Sequence, residues 1–167
     1  YYVVNEKYRC GRNLKNFNNF IGLPLSIFQF DDSLEVVVLE MGMSDFGEID
    51  RLASIVKPHI GVITNIGVAH MESLGSREGI FQAKMEIAKH IAGDDELPGT
   101  LIYASDSEFL TKERTKGNYD QISVGEKGKD DYIISSVDDF GMDGIKFTLE
   151  HAQKVRQISL PLPGRHN

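Results

Sequence analysis

The sequence predicts an α/β fold: a mostly parallel sheet with flanking helices, plus a small antiparallel β ribbon in the C-terminal half. Three observations point there. Short runs rich in Val and Ile, "LEVVVLE", "HIGVITNI" and "TLIYA", read as strands buried on both faces. Stretches with apolar residues at helical spacing lie between them, so residues 34–104 read β-α-β-α-β, the order of right-handed crossovers in a parallel sheet. After residue 117 the texture changes to "YDQISVG", "DYIISSVDDF", "GIKFTLEH" and "KVRQISLPL", short strands separated by Gly, Asp and Lys turns.

Taken in order, residues 1–15 are mixed and carry no clear pattern. In "NFNNFIGLPLSIFQF" the apolar residues Ile21, Leu25 and Phe28 recur at roughly helical spacing. Pro24 is tolerated only in a first turn, so that helix starts near Gly22 or Leu23. Leu34–Glu40 forms the first strand. Gly47–Lys57 is helical, with Ile49, Leu52, Ile55 and Val56 on one face, and Pro58 closes it. The second strand follows in "HIGVITNI". Ser76–Ile91 is a strong helix, with Ser76 as its cap and Glu78 suited to its first turn. Thr100–Ala104 is the third strand, and Asp139–Gly144 is a hairpin connection. The expected organisation is an uncertain segment over 1–15, an α/β core over 16–117 and an antiparallel portion over 118–160.

At 167 residues the chain is long enough for one domain with a real core. Eighteen Lys and Arg against 25 Asp and Glu leave a net charge of −7. That balance argues against nucleic acid as a partner, since phosphate-backbone binding needs a basic face. It leaves room for a small phosphorylated ligand. Cys10 is the single cysteine, which excludes an intrachain disulfide and fits a reducing, cytoplasmic compartment. No apolar run reaches the roughly 18 residues of a membrane span, and no secretory signal is visible. A first residue other than Met and the ending "LPLPGRHN" read as a piece of something longer.

Ligands of open parallel sheets bind beyond the carboxyl ends of the strands. Glu40 ends the first strand and leads into "MGMSDFG"; Thr64, Asn65 and His70 follow the second. If these strands are neighbours, Glu40 and His70 share one sheet edge. Taken singly, Glu40 reads as a ligand or as a strand-end acid facing water, and His70 as a loop histidine. Lys84 adds weight. Ile80, Ile87 and Ile91 lie four residues before, three after and seven after it, so a lysine occupies an apolar stripe. Either its stem packs while the ammonium reaches water, or the amine is held near a site. Burial lowers a lysine pKa and frees the neutral amine. A neutral amine can take up carbon dioxide as a carbamate, which turns a cation into an oxygen ligand for a hard metal such as magnesium.

The stretches "LEMGMSDFGEIDRL", "ITNIGVAHMESLGSREGIFQAKMEI" and "LPLPGRHN" resemble the central, ATP-binding domain of the bacterial Mur ligases. "NFNNFIGLPLS" resembles the segment that follows their phosphate loop, and the resemblance runs from about Asn16 to Asn167, more weakly between roughly 105 and 155. It implies a P-loop NTPase-like fold and an ATP-dependent, amide-forming role in cytoplasmic peptidoglycan precursor synthesis. The motifs favour the branch that joins D-alanyl-D-alanine to UDP-N-acetylmuramoyl-tripeptide. By that resemblance Glu40 helps bind Mg2+ beside the ATP γ-phosphate, and His70 belongs to a second magnesium site. Lys84 matches the lysine that the family carbamoylates. Asn19, or its neighbour Asn18, lies near the reacting carboxylate; Asn167, with His166 and Arg165 beside it, contacts adenine. Thr64 and Asn65 shape their loop.

One departure stands out. Nothing in "YYVVNEKYRCGRNLK" has the glycine and lysine spacing of a phosphate loop, and the family's N-terminal UDP-binding and C-terminal domains have no counterpart. The expectation is that this chain alone does not turn over. Two other readings stay open: a ligase of the folylpolyglutamate or diaminopimelate-adding type, and a non-catalytic α/β scaffold that binds nucleotide or a partner.

Overall fold

A computed structural model describes residues 1–14 and 16–163. In chain order the elements are α1 (Tyr2–Asn5), β1 (Cys10–Arg12), α2 (Gly22–Ile27), β2 (Val36–Val38), α3 (Glu48–Val56), β3 (Ile60–Ile63), α4 (Met71–Leu74) and α5 (Arg77–Met85). A 3₁₀ turn (Glu86–His90) follows, then β4 (Thr100–Ala104), β5 (Asp120–Gly125) and β6 (Tyr132–Asp139). A second 3₁₀ turn (Gly141–Asp143) leads to β7 (Ile145–His151) and β8 (Lys154–Leu160). These fall into two compact units, Tyr1–Pro58 with Gly67–Ala92, and His59–Ile66 with Gly93–Asn167.

The first unit holds a two-stranded parallel sheet, Cys10 opposite Val36 and Arg12 opposite Val38, and the helices α1 to α5. Its core is built from Leu23, Leu52, Ala53, Ile80 and Ala83. Helix α3 packs on α5 and on the 3₁₀ turn after it. Ser76 caps α5 as expected, its hydroxyl accepting from the Gly79 amide at 3.1 Å. The α-helical part ends at Met85, short of Ile91, where the chain tightens into the 3₁₀ turn.

Helix α2 starts where proline tolerance places it, but it turns a different face inward. Ile21 and Phe28 are 73% and 86% exposed, while Gly22, Leu23 and Ser26 are buried. Gly22 sets that phase: a Cβ there would meet the Phe17 Cα at 2.5 Å, so only glycine lets the helix start pack on that backbone.

The second unit is a six-stranded sheet in the order β3-β4-β5-β6-β7-β8. Pairing is parallel from β3 through β6 and antiparallel from β6 to β8. The antiparallel portion therefore begins at Tyr132 rather than near residue 118, because β5 extends the parallel sheet. Leu101, Tyr103, Leu110 and Ile145 fill the core beside β4.

β2 pairs with β1, and β3 with β4. The β2–β3 pairing on which a shared edge for Glu40 and His70 depended is not among the pairings of the described residues. Among the described residues each of the two strands pairs on one side only. β3 alternates, with Gly61 and Ile63 buried and Ile60 and Val62 exposed, and Val37 and Val38 are exposed too. A run of β-branched residues predicts a strand, but burial on both faces also needs layers packed over both faces of the sheet. Among the described residues no helix is long and apolar enough to cross a membrane.

Candidate active site

Glu40, Asn18, Asn19, His70 and Lys84 all belong to the first unit. Glu40 leaves β2 under the control of a side chain rather than a strand. The Asn13 amide donates to the Glu40 carbonyl at 2.9 Å and to the Phe17 carbonyl at 2.9 Å, and its Oδ1 accepts from the Glu40 N–H at 2.9 Å. One asparagine side chain so imitates a ladder partner and holds two loops together. The carboxylate itself is exposed. Asn18 Nδ2 donates to its Oε1 at 2.9 Å, and the Asn18 carbonyl accepts from the Gly42 N–H at 2.8 Å. A Cβ at Gly42 would lie 2.9 Å from Asn18 Nδ2, so a larger residue there would push that amide aside.

The two adjacent asparagines divide the work. Asn19 Oδ1 accepts from the amides of Ile21 at 3.1 Å and Gly22 at 2.9 Å, and its carbonyl accepts from Leu23 at 3.0 Å. These bonds close the turn that leads into α2, whose N-cap position is Ile21. Of the pair named from sequence, Asn18 is the one whose side chain meets the Glu40 carboxylate. Asn19→Ala should therefore cost about 1 kcal/mol of stability, whereas Asn18→Ala should leave the unfolding midpoint nearly unchanged. Urea titrations of the two variants check this.

His70 is exposed and begins α4 with left-handed backbone (φ 65°, ψ 22°), its carbonyl accepting from Leu74 N–H at 3.0 Å. A non-glycine residue in that region is held by its surroundings at a cost of order 1–3 kcal/mol. Lys84 is half-buried on α5 beside the buried Ile80, Phe81 and Ala83. Burial holds its pKa below the usual 10.5, the direction that favours the neutral amine.

Glu86 is an acid that the sequence reading passed over. It is 8% exposed, and its carboxylate accepts from the Gly47 N–H at 2.8 and 3.0 Å and from the Asp50 N–H at 3.1 Å. Those amides are the open start of α3, where a negative charge is favoured. A signal existed: Gly79, Ala83 and Glu86 fall at i, i+4 and i+7, a row of small residues ending in an acid, as close approach of another helix requires. Asp50 is held below the usual carboxylate range, first by the hydrogen bond from Lys89 and then by that from His90, both contacts being 3.1 Å.

Among the described residues, no group of three or more His, Cys, Asp and Glu side chains gathers as a closed metal cage. The donors present do fit magnesium. That ion keeps several waters and is bound through one or two carboxylates plus phosphate oxygens. Glu40 offers an exposed carboxylate already oriented through Oε1 by Asn18. Arg165, His166 and Asn167, named from sequence as adenine contacts, lie outside the described residues.

Comparison with known proteins gives a consistent result. The family model described as "Mur ligase middle domain" matches residues 2–167, which takes in the N-terminal stretch that sequence reading left unassigned. UDP-N-acetylmuramoyl-tripeptide–D-alanyl-D-alanine ligase of Bacillus subtilis is 39% identical over 168 residues, covering 99% of this chain and 34% of that protein. MurF from Acinetobacter baumannii superposes with a TM-score of 0.87 at 29% identity, over 98% of this chain and 35% of that one. MurF ligase from Thermotoga maritima, solved in complex with ADP, gives 0.79 at 28% identity, over 93% of this chain and 35% of that one. The chain spans about a third of the length of the relatives it matches. With the match running over nearly every residue and the same strand-and-helix order beneath it, the chain belongs to the Mur ligase middle-domain family.

Proposed function

We propose that this chain is the middle domain of an ATP-dependent ligase that joins D-alanyl-D-alanine to UDP-N-acetylmuramoyl-tripeptide. The observation that carries the reading is the match of nearly all of this chain to relatives bearing that name, 39% identical in that of Bacillus subtilis. In this reading the tripeptide carboxylate attacks the γ-phosphorus of ATP, and ADP leaves. The D-alanyl-D-alanine amine then attacks the acyl carbon, and phosphate leaves from the tetrahedral intermediate. Bound Mg2+ would offset the charge that gathers on phosphate and carboxylate oxygens, the main contribution a protein makes to phosphoryl transfer.

The chain's own residues have distinct tasks. Glu40, hydrogen-bonded by Asn18, would supply a carboxylate oxygen to a bound magnesium ion. His70 would offer its imidazole to a second ion. Lys84 supplies the amine that a carbamate would convert into an oxygen donor, and its lowered pKa supports that role. Arg165, His166 and Asn167 keep the adenine-contacting role that the resemblance implies.

The test is ATP-dependent phosphate release. The full-length parent should release phosphate only when UDP-N-acetylmuramoyl-tripeptide and D-alanyl-D-alanine are both present, and the 167-residue chain alone should stay at background. Release driven by diaminopimelate or glutamate in place of the dipeptide would overturn the substrate assignment.

A further inference from the structure

The antiparallel end of the second unit carries an open surface hollow of about 270 Å³ lined by Tyr132, Leu149, His151, Lys154 and Arg156, the last three of them exposed. Its chemistry follows from register. Ile133 pairs with Glu150, Leu149 with Arg156 and His151 with Lys154. Alternation then puts Tyr132, Leu149, His151, Lys154 and Arg156 on one face of β6, β7 and β8. Glu150, the nearest acid of β7, points to the other face, where its carboxylate accepts from Ser135 Oγ at 3.2 Å. The lining therefore contains two permanent cations, one imidazole and no carboxylate, in a chain whose net charge is −7.

The imidazole is fixed on two sides. It stacks on the Tyr132 ring, with centroids 4.0 Å apart and planes 3° from parallel. Its Nδ1 lies 2.8 Å from the Asp131 carbonyl, which can only accept, so Nδ1 carries the hydrogen. The side chains of Lys154 and Arg156 make no ion pair or hydrogen bond among the described residues. Charges on an edge strand commonly serve to block pairing with another chain. That purpose needs no hollow and no imidazole stacked on a tyrosine and hydrogen-bonded to the backbone. Two like charges on alternate residues of one strand repel each other, and a dianion between them removes that cost.

We propose that this hollow binds the phosphate group of a small soluble ligand, with the Arg156 guanidinium as a forked donor and Lys154 as a second charge. The assignment stands apart from the ligase reading, since none of these residues has a role in it.

The experiment is a titration of the 167-residue chain with inorganic phosphate at low ionic strength, followed by amide NMR, with chloride at matched ionic strength as the control. The expected result is saturating shifts at Leu149, His151, Lys154 and Arg156 that chloride does not reproduce. Affinity should fall at least tenfold in the Lys154→Gln, Arg156→Gln double variant. If that variant does not fold, the single Lys154→Gln variant and the wild-type shift map decide between the outcomes. Shifts that do not saturate, that chloride matches, or that survive in the charge-removed variant would overturn the proposal.

Discussion

Replacing Lys84 with alanine in the full-length parent should lower ATP-dependent phosphate release by about 10²-fold or more, the usual loss when one group that stabilises transition-state charge is removed. The amine is half-buried and its pKa is lowered by that burial. A carbamate forms from the neutral amine, so carbon dioxide uptake should increase with pH up to the depressed pKa and level off above it. A 13C-bicarbonate NMR experiment on the parent reads this directly: a carbamate signal in wild type, none in Lys84→Ala.

Stability supplies the control. The folded state holds Lys84 with a pKa below 10.5, so between that lowered value and 10.5 the unfolded chain binds more protons than the folded one. Stability therefore rises with pH across that window, and the cost of burying the charge is complete below it. Lys84→Met has no such cost. It should melt no lower than wild type at neutral pH, with the difference shrinking as pH enters the window. A variant that is stable but inactive separates lost chemistry from lost structure. A Lys84→Ala parent retaining activity within about threefold of wild type, roughly 0.7 kcal/mol of barrier, would remove Lys84 from the mechanism.

Glu86→Ala should cost about 2–4 kcal/mol of folding stability, one of the largest single-site losses in the chain. It strips both hydrogen-bond acceptor oxygens from the amides of Gly47 and Asp50 at a buried position. The start of α3 is then left without its anion. Glu86→Gln keeps the volume but presents an NH2 group to amide donors, so it should recover less than half of the loss. Chemical denaturation of the two variants against wild type measures both. A loss below about 1 kcal/mol for Glu86→Ala would mean that water replaces the carboxylate at that helix start.

Much of the fold was legible because its signals are local. Valine runs, the Ser76 cap and the Pro58 stop each depend on a few adjacent residues. The features that escaped depend on partners remote in sequence. The burial of β2 and β3 turns on what packs over each face of the sheet, which composition does not encode. The Ile21, Leu25 and Phe28 stripe has helical period, but Gly22 against Phe17 decides which face packs. At the site, Glu40 and Lys84 stood out because an acid at a strand end and a lysine in an apolar stripe break a pattern. Asn13 and Glu86 broke none, and Asn18 was named only through the family resemblance. An asparagine in a loop and a glutamate late in a helix look like ordinary solvated residues until their hydrogen-bond partners, 27, 22 and 39 residues away, are in place.

The account rests on Glu40, His70 and Lys84 serving bound divalent ions beside a nucleotide. Manganese in place of magnesium, located by anomalous diffraction in crystals of the full-length parent with bound nucleotide, tests this most directly. The account predicts metal peaks against the Glu40 carboxylate and the His70 imidazole, with a carbamate on Lys84 as a neighbouring oxygen donor. Metal bound elsewhere, with Lys84 an unmodified amine, would contradict it.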